Sequence, residues 1–145
     1  MKTTSITALF CPAEKHKGVW PIKIYVMKLF FALMFIMVAK DAWRVLITHS
    51  GTWDPVVAVG WCSMAAYTTL AGFGIIHTLR MMPIMLFVYF YKGLWLFFVA
   101  LPLLSRGELQ GSTAEGWTQV FIWIFIPIIF TPWKYVFDTY VLGKN

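Results

Sequence analysis

Four long apolar runs separated by short polar ones set the pattern of this chain. The first covers residues 21–48. Its purely apolar part, "LFFALMFIMVA", is too short to cross a bilayer alone, so the helix must extend past Lys28 or through Lys40, Asp41 and Arg44. The second run covers 54–77, the third 81–104 and the fourth 117–141. A hydrocarbon core about 30 Å thick takes roughly 20 helical residues, and every run meets that length. "WDP" at Trp53–Pro55 puts a capping acid before a first-turn proline and opens the second helix. "HTLR", His77–Arg80, is so short that helices two and three must be antiparallel neighbours. "STAE", Ser112–Glu115, has capping-box spacing and can start the fourth helix slightly before Trp117. Pro127 and Pro132 remove backbone donors and should kink that helix. "SRGELQGSTAEG", residues 105–116, is the one substantial internal polar loop. The pattern predicts an all-α membrane protein, a four-transmembrane-helix bundle forming one domain over residues 1–145.

Composition supports the same solvent. Of 145 residues, 60% are hydrophobic and only 12% charged, against roughly 25% charged in an ordinary soluble domain. The net charge of +6 could suggest nucleic acid. The basic residues, however, sit at the ends of apolar runs, which assigns them to membrane flanks and excludes a nucleic-acid partner. With four spans, the N-terminus, the Arg80 connection and the C-terminus share one side. That side holds Lys2, Lys15, Lys17, Lys23, Arg80 and Lys144, and the other holds Arg106 with Arg44 near its boundary. The positive-inside rule then places both termini in the cytoplasm. Trp20, Trp53, Trp117 and Trp133 fall near the expected interfaces. The opening "MKTTSITALFCPAEKHKGVW" has too short an apolar patch for a cleavable signal peptide, and Phe10 before Cys11 is wrong for a lipoprotein site.

Candidate chemistry is sparse. Lys92 interrupts "FVYFYKGLWLFF", roughly 16 Å along the third helix at the helical rise. An unpaired lysine at the bilayer centre costs about 2.5–3.5 kcal/mol on insertion scales. Ser63, Tyr67 and Thr68 of helix two come to similar depth, and Asp41 is reachable only by a stretched contact. Lys92 with Tyr67 and Ser63 is therefore the candidate intramembrane polar site. It serves either as a hydrogen-bonding post between helices two and three or as an anion or proton site. The second cluster is "VAKDAWRVL": Lys40, Asp41 and Arg44 share a helix face near the outer boundary, as an ion pair or as a basic patch at a cavity mouth. Lys134 and Asp138, four apart, form a boundary pair at the other end. Ala58, Cys62 and Ala66, with Gly72 and Gly74 beyond, give helix two a small-residue side suited to close helix packing or to a second copy.

Other chemistry finds no support in the pattern. Cys11 and Cys62 form neither a CxxC nor a zinc spacing, and Cys11 with His16 lacks a metal-site spacing. His16 and His77 fall on one side and His49 on the other, which argues against paired haem ligands. No nucleophilic triad, phosphate loop or paired carboxylates occur, so no catalytic residue, cofactor or metal ligand is assigned. Without a central Asp or Glu in any span, proton-coupled transport is disfavoured.

"RMMPIMLFVYFYKGLWLFFVALPLL" followed by "PIIFTPWKYVFDTYV" resembles a set of small, functionally uncharacterised four-span bacterial membrane proteins. The shared positions are Pro83, Lys92, Trp95, Pro102, Pro132, Trp133, Lys134, Tyr135 and Tyr140. The resemblance covers the second half of the chain and implies a four-span fold in the bacterial inner membrane, with no activity attached. A looser likeness to DoxX-type four-helix proteins, in span number and length, implies a redox or quinone-associated accessory role. Two expectations result. The first is a non-enzymatic accessory or binding component of a membrane complex, with lipid, other membrane proteins or a second copy as partners. The alternative is a small redox, quinone-associated or transport protein using the polar site around Lys92.

Overall fold

The computed structural model describes residues 18–143. The segment with Cys11 and His16, and Lys2, Lys15, Lys17 and Lys144 of the charge count, lies outside the described residues. Eight α-helical pieces succeed one another: α1 (Pro21–Leu33), α2 (Lys40–Thr48), α3 (Pro55–Ile76), α4 (Met82–Trp95), α5 (Leu101–Ser105), α6 (Thr113–Ile122), α7 (Phe125–Phe130) and α8 (Trp133–Val136). Wider π-helical turns join α1 to α2, join α4 to α5, and extend α8 to Val141. No strand occurs among the described residues. The pieces assemble into four helices long and apolar enough to cross a membrane: Pro21–Thr48, Pro55–Ile76, Met82–Ser105 and Thr113–Phe130. This architecture is compatible with an integral membrane protein.

The first helix does continue through "KDAWR", as its length requires. The π turn at Met34–Ala39 resets its face. Pro21, Ile24, Met27 and Phe31 are buried at helical spacing, and an unbroken α-helix would carry that stripe to residue 38. A π turn holds one residue more, which rotates the succeeding turns by about 100°. The buried positions beyond it are accordingly Ala39 and Ala42. At the start of α3 the Asp54 carboxylate accepts from the Val56 and Val57 N–H groups at 2.9 and 3.1 Å, the cap that "WDP" predicts.

The fourth helix departs from expectation. It begins at Thr113 and ends at Phe130, whereas one helix over 117–141 was expected. Pro132 is the cause: it lacks an N–H and pushes the preceding residue out of the helical region. Thr131 is accordingly extended, at φ −59° and ψ 133°. Pro127 has a milder effect. It cannot donate to the Trp123 carbonyl, and Ile126 N–H takes that acceptor at 3.3 Å. The capping box expected at Ser112–Glu115 does not form, since neither side chain pairs with the N–H the box would use. Glu115 reaches back to Gly111 N–H at 2.8 Å, while the Ser112 hydroxyl donates to the Leu109 carbonyl.

By internal contacts the chain divides into two compact units. One comprises the chain up to Ile84 together with the segment from Pro132; the other is Met85–Thr131. In the first, the two long helices pack through small residues of α3. Its buried positions are Ala65, Thr68, Ala71 and Gly74, whereas Cys62 and Ala66 of the expected stripe are exposed. The Phe31 ring lies where a side chain on Gly74 would project, and the Phe35 ring would stand 2.9 Å from a Cβ on Gly72. Trp43 donates its indole N–H to the Thr69 hydroxyl across the same pair of helices, at 2.9 Å. In the second unit, the helix ending at Ser105 closes with a left-handed glycine, Gly107 at φ 70°. Glu108 N–H then reaches the Leu103 carbonyl, and Gly107 N–H the Leu104 carbonyl, in a Schellman arrangement.

These glycines give a test with opposite signs. Gly→Ala in an exposed helix interior stabilises by roughly 0.5–1 kcal/mol, whereas overpacking a buried contact costs about 1–3 kcal/mol. Gly60 has open space at its Cβ position and Gly74 faces the buried Phe31 ring. Gly60→Ala should therefore raise the thermal midpoint in detergent slightly, and Gly74→Ala should lower it. Equal behaviour of the two variants would contradict the packing described.

Candidate functional site

Lys92 sits on α4 in the second unit and is half-buried. Its ammonium nitrogen stands over the ring of Phe121, 4.9 Å from the centroid. Phe121 is the hub of an aromatic group. Tyr91, Trp95 and Trp117 meet it edge to face at centroid distances of 5.7, 5.0 and 5.8 Å. The spacing explains the assembly: Tyr91 and Trp95 lie one helical turn apart on α4, and Trp117 lies one turn before Phe121 on α6. Ring faces carry negative charge density, so the hub offers the lysine an electrostatic partner without a counter-ion.

One helical turn from Lys92, a polar contact holds the same unit together. The Thr131 hydroxyl donates to the Pro127 carbonyl at 2.8 Å. Its single hydrogen is thereby committed, so the Tyr89 hydroxyl is the donor in the 2.7 Å contact with Thr131 Oγ1. Both residues are buried. The bond compensates the helix end at Pro132 and ties it to α4.

Tyr67 and Ser63 belong to the first unit, Tyr67 half-buried and Ser63 exposed. Lys40, Asp41 and Arg44 lie on α2, all exposed. Among the described residues no ion pair joins Asp41 to Arg44. His49 stacks on Trp53 at 3.6 Å between ring centroids. Among the described residues, no group of three or more His, Cys, Asp or Glu side chains is arranged to hold a metal ion.

A second feature emerges at one end of the first unit. An open cleft of about 830 Å³ is lined by residues 18–20 and Lys23 at the start of the first span, and by Pro132, Trp133, Lys134, Tyr135, Asp138 and Thr139. Tyr140 fixes the C-terminal wall: its hydroxyl reaches the Leu79 carbonyl at 2.9 Å and the Arg80 carbonyl at 3.3 Å. Tyr135 rests edge-on against Tyr140 at 6.2 Å. The start of the first span, the connection after α3 and the C-terminal segment thus gather at one end of this unit. Their spacing in sequence marks Lys134 and Asp138 as a boundary pair. In the structure both line the cleft, and the π winding from Phe137 aligns i and i+5 neighbours in place of i and i+4. The spacing of Trp20 to Lys23 and of Trp133 to Asp138 was the available signal for this cleft, but nothing in it brings the two stretches together.

No protein family, curated protein or solved structure matches the chain.

The magnitudes separate the roles of Lys92 and its platform. A cation–π contact contributes about 0.5–2 kcal/mol, less than the roughly 2.5–3.5 kcal/mol cost of a lysine at mid-membrane. Lys92→Met should thus leave the thermal midpoint unchanged or raised. Phe121→Ala, which empties the hub, should cost about 3 kcal/mol or more. Tyr89→Phe, which leaves a Thr131 acceptor unused, should cost about 1 kcal/mol. Thermal unfolding of the purified variants measures all three, and a Lys92→Met variant as damaged as Phe121→Ala would contradict the ranking.

Proposed function

We propose that the protein is a multi-pass component of a bacterial inner membrane, with both termini cytoplasmic. It acts as a non-enzymatic accessory or binding subunit of a membrane complex. The observation that supports the membrane reading is the apolar exterior. Ile36, Met37, Val59, Phe90, Phe98 and Ile129 are each more than half exposed. In the most apolar window of each span only 17–22% of positions are buried. Exposed apolar surface on this scale needs lipid or another protein to cover it. The side chains buried among the described residues are aliphatic, methionine, aromatic and small residues with a few threonines, a set that suits helix packing.

The orientation is argued from the basic residues gathered at the end where Trp20, Arg80 and Trp133 lie in the first unit. Reporter fusions at Asn145 and within the loop from Gly107 to Gly116 should localise to opposite sides. A cytoplasmic signal from the loop fusion would overturn the orientation. The accessory role is tested by affinity capture from native membranes in mild detergent. A stoichiometric membrane-protein partner is the expected result. A coloured redox cofactor retained without any protein partner would favour a redox or quinone-associated role in its place.

A further inference from the structure

The open cleft at the start of the first span combines features that a packing defect would not. It has walls from two separate stretches of chain, two lysines, an acid and two tryptophans. Its volume of about 830 Å³ falls within the range of small-molecule sites, roughly 300–1,000 Å³. A free phosphate would leave most of that space empty. Trp20 immediately precedes Pro21, the first residue of the span, so the cleft opens at the level where hydrocarbon gives way to water. Trp20 and Trp133 are both partly exposed there, as interfacial aromatic anchors are.

We infer that this cleft binds the phosphodiester head group of an anionic phospholipid. The inference rests on the membrane reading above. Among the described lining residues, Lys23 and Lys134 are basic and Asp138 is acidic. Two basic side chains against one acid suit an anionic head group. The lysines take the phosphodiester oxygens; basic pockets at the cytoplasmic ends of spans hold anionic head groups by this chemistry. Asp138 accepts hydrogen bonds from head-group hydroxyls, which selects a hydroxylated head group such as glycerol over a bare phosphate monoester. The wall carrying Lys134 and Asp138 is held by the Tyr140 contacts to the Leu79 and Arg80 carbonyls and by buried Pro132 and Val136. The charged groups are thus presented on a supported backbone.

The test uses the full chain purified in mild detergent. Short-chain phosphatidylglycerol, phosphatidylcholine, phosphatidic acid and inorganic phosphate are titrated separately. Native mass spectrometry reads retention and thermal unfolding reads the shift. Phosphatidylglycerol should be retained and raise the midpoint more than phosphatidylcholine does. The difference should shrink as salt is raised from about 0.1 M to about 1 M. Lys23→Gln combined with Lys134→Gln should weaken phosphatidylglycerol about tenfold or more. Asp138→Asn should keep phosphate recognition but narrow the preference for phosphatidylglycerol over phosphatidic acid. Equal retention of phosphatidylcholine by the parent, or an unchanged double variant, would overturn the assignment. So would inorganic phosphate binding as tightly as the lipid, which would mark a soluble-anion site. If the double variant does not fold, the salt dependence and Asp138→Asn still decide. Alkaline carbonate extraction keeps the two readings apart. Release from native membranes would overturn the membrane reading itself. A carbonate-resistant protein that does not distinguish the lipids would overturn this inference alone.

Discussion

In hydrocarbon, no water is available to pair an open N–H or C=O, and each unpaired group costs several kcal/mol. On the proposed membrane reading, that constraint accounts for more of this chain than any single contact. It explains why the apolar runs are helical from end to end, and why the irregularities are compensated where they occur. Pro132 removes the donor that the Ile128 carbonyl would use, and Thr131 N–H turns to it at 3.3 Å. The Pro127 carbonyl, left by that turn, accepts from the Thr131 hydroxyl. Tyr89 then supplies the hydrogen bond that Thr131 Oγ1 can still accept. One proline thus recruits a threonine beside it and a tyrosine on another helix.

Packing inside the first unit obeys a related logic. Lipid tails are as apolar as leucine, so helices gain little by hiding leucine from them and must instead approach closely. Gly72 and Gly74 receive the Phe35 and Phe31 rings, and Trp43 reaches the Thr69 hydroxyl. Thr69 gives its own hydrogen to the Ala65 carbonyl at 2.6 Å, which leaves its oxygen as acceptor for the indole. The π turn at Met34–Ala39 makes both contacts compatible with one helix, by turning the face after Phe35 relative to the face before it.

Much of this was legible in the sequence because length and hydropathy do not depend on packing. The first three helices begin and end within about a residue of the apolar runs, and Asp54 caps α3 as its spacing predicts. Helical "KDAWR" followed from length alone. What could not be read was facing. A span that is apolar all round, as α3 is, carries no amphipathic stripe to say which side is inside. Of the small-residue side expected, Gly74 is buried and Gly72 meets the Phe35 ring, whereas Cys62 and Ala66 are exposed and Ala65 and Ala71 are buried in their place. The fourth helix was misjudged for a different reason. Transmembrane helices tolerate proline when neighbours re-pair the backbone. Whether Pro132 kinks or ends the helix thus depends on Thr131 and Tyr89, and Tyr89 is 42 residues away from Thr131 in sequence. The cleft was illegible because its walls come from the two ends of the chain.

The charges divide by what their surroundings can repay. The lysines at the cleft, Lys23 and Lys134, lie at one end of the first unit, Lys23 half-buried and Lys134 exposed. Lys92 is placed differently. Its position near the middle of the helix Met82–Ser105 puts it far from either end, and its ring partner Phe121 returns about 2 kcal/mol when desolvated. Leucine or methionine would fill the same space against Phe121 without the insertion cost. The aromatic group around Phe121 holds that cation in a defined place beside an apolar wall, with Tyr91, Trp95 and Trp117 fixing the ring on which it rests.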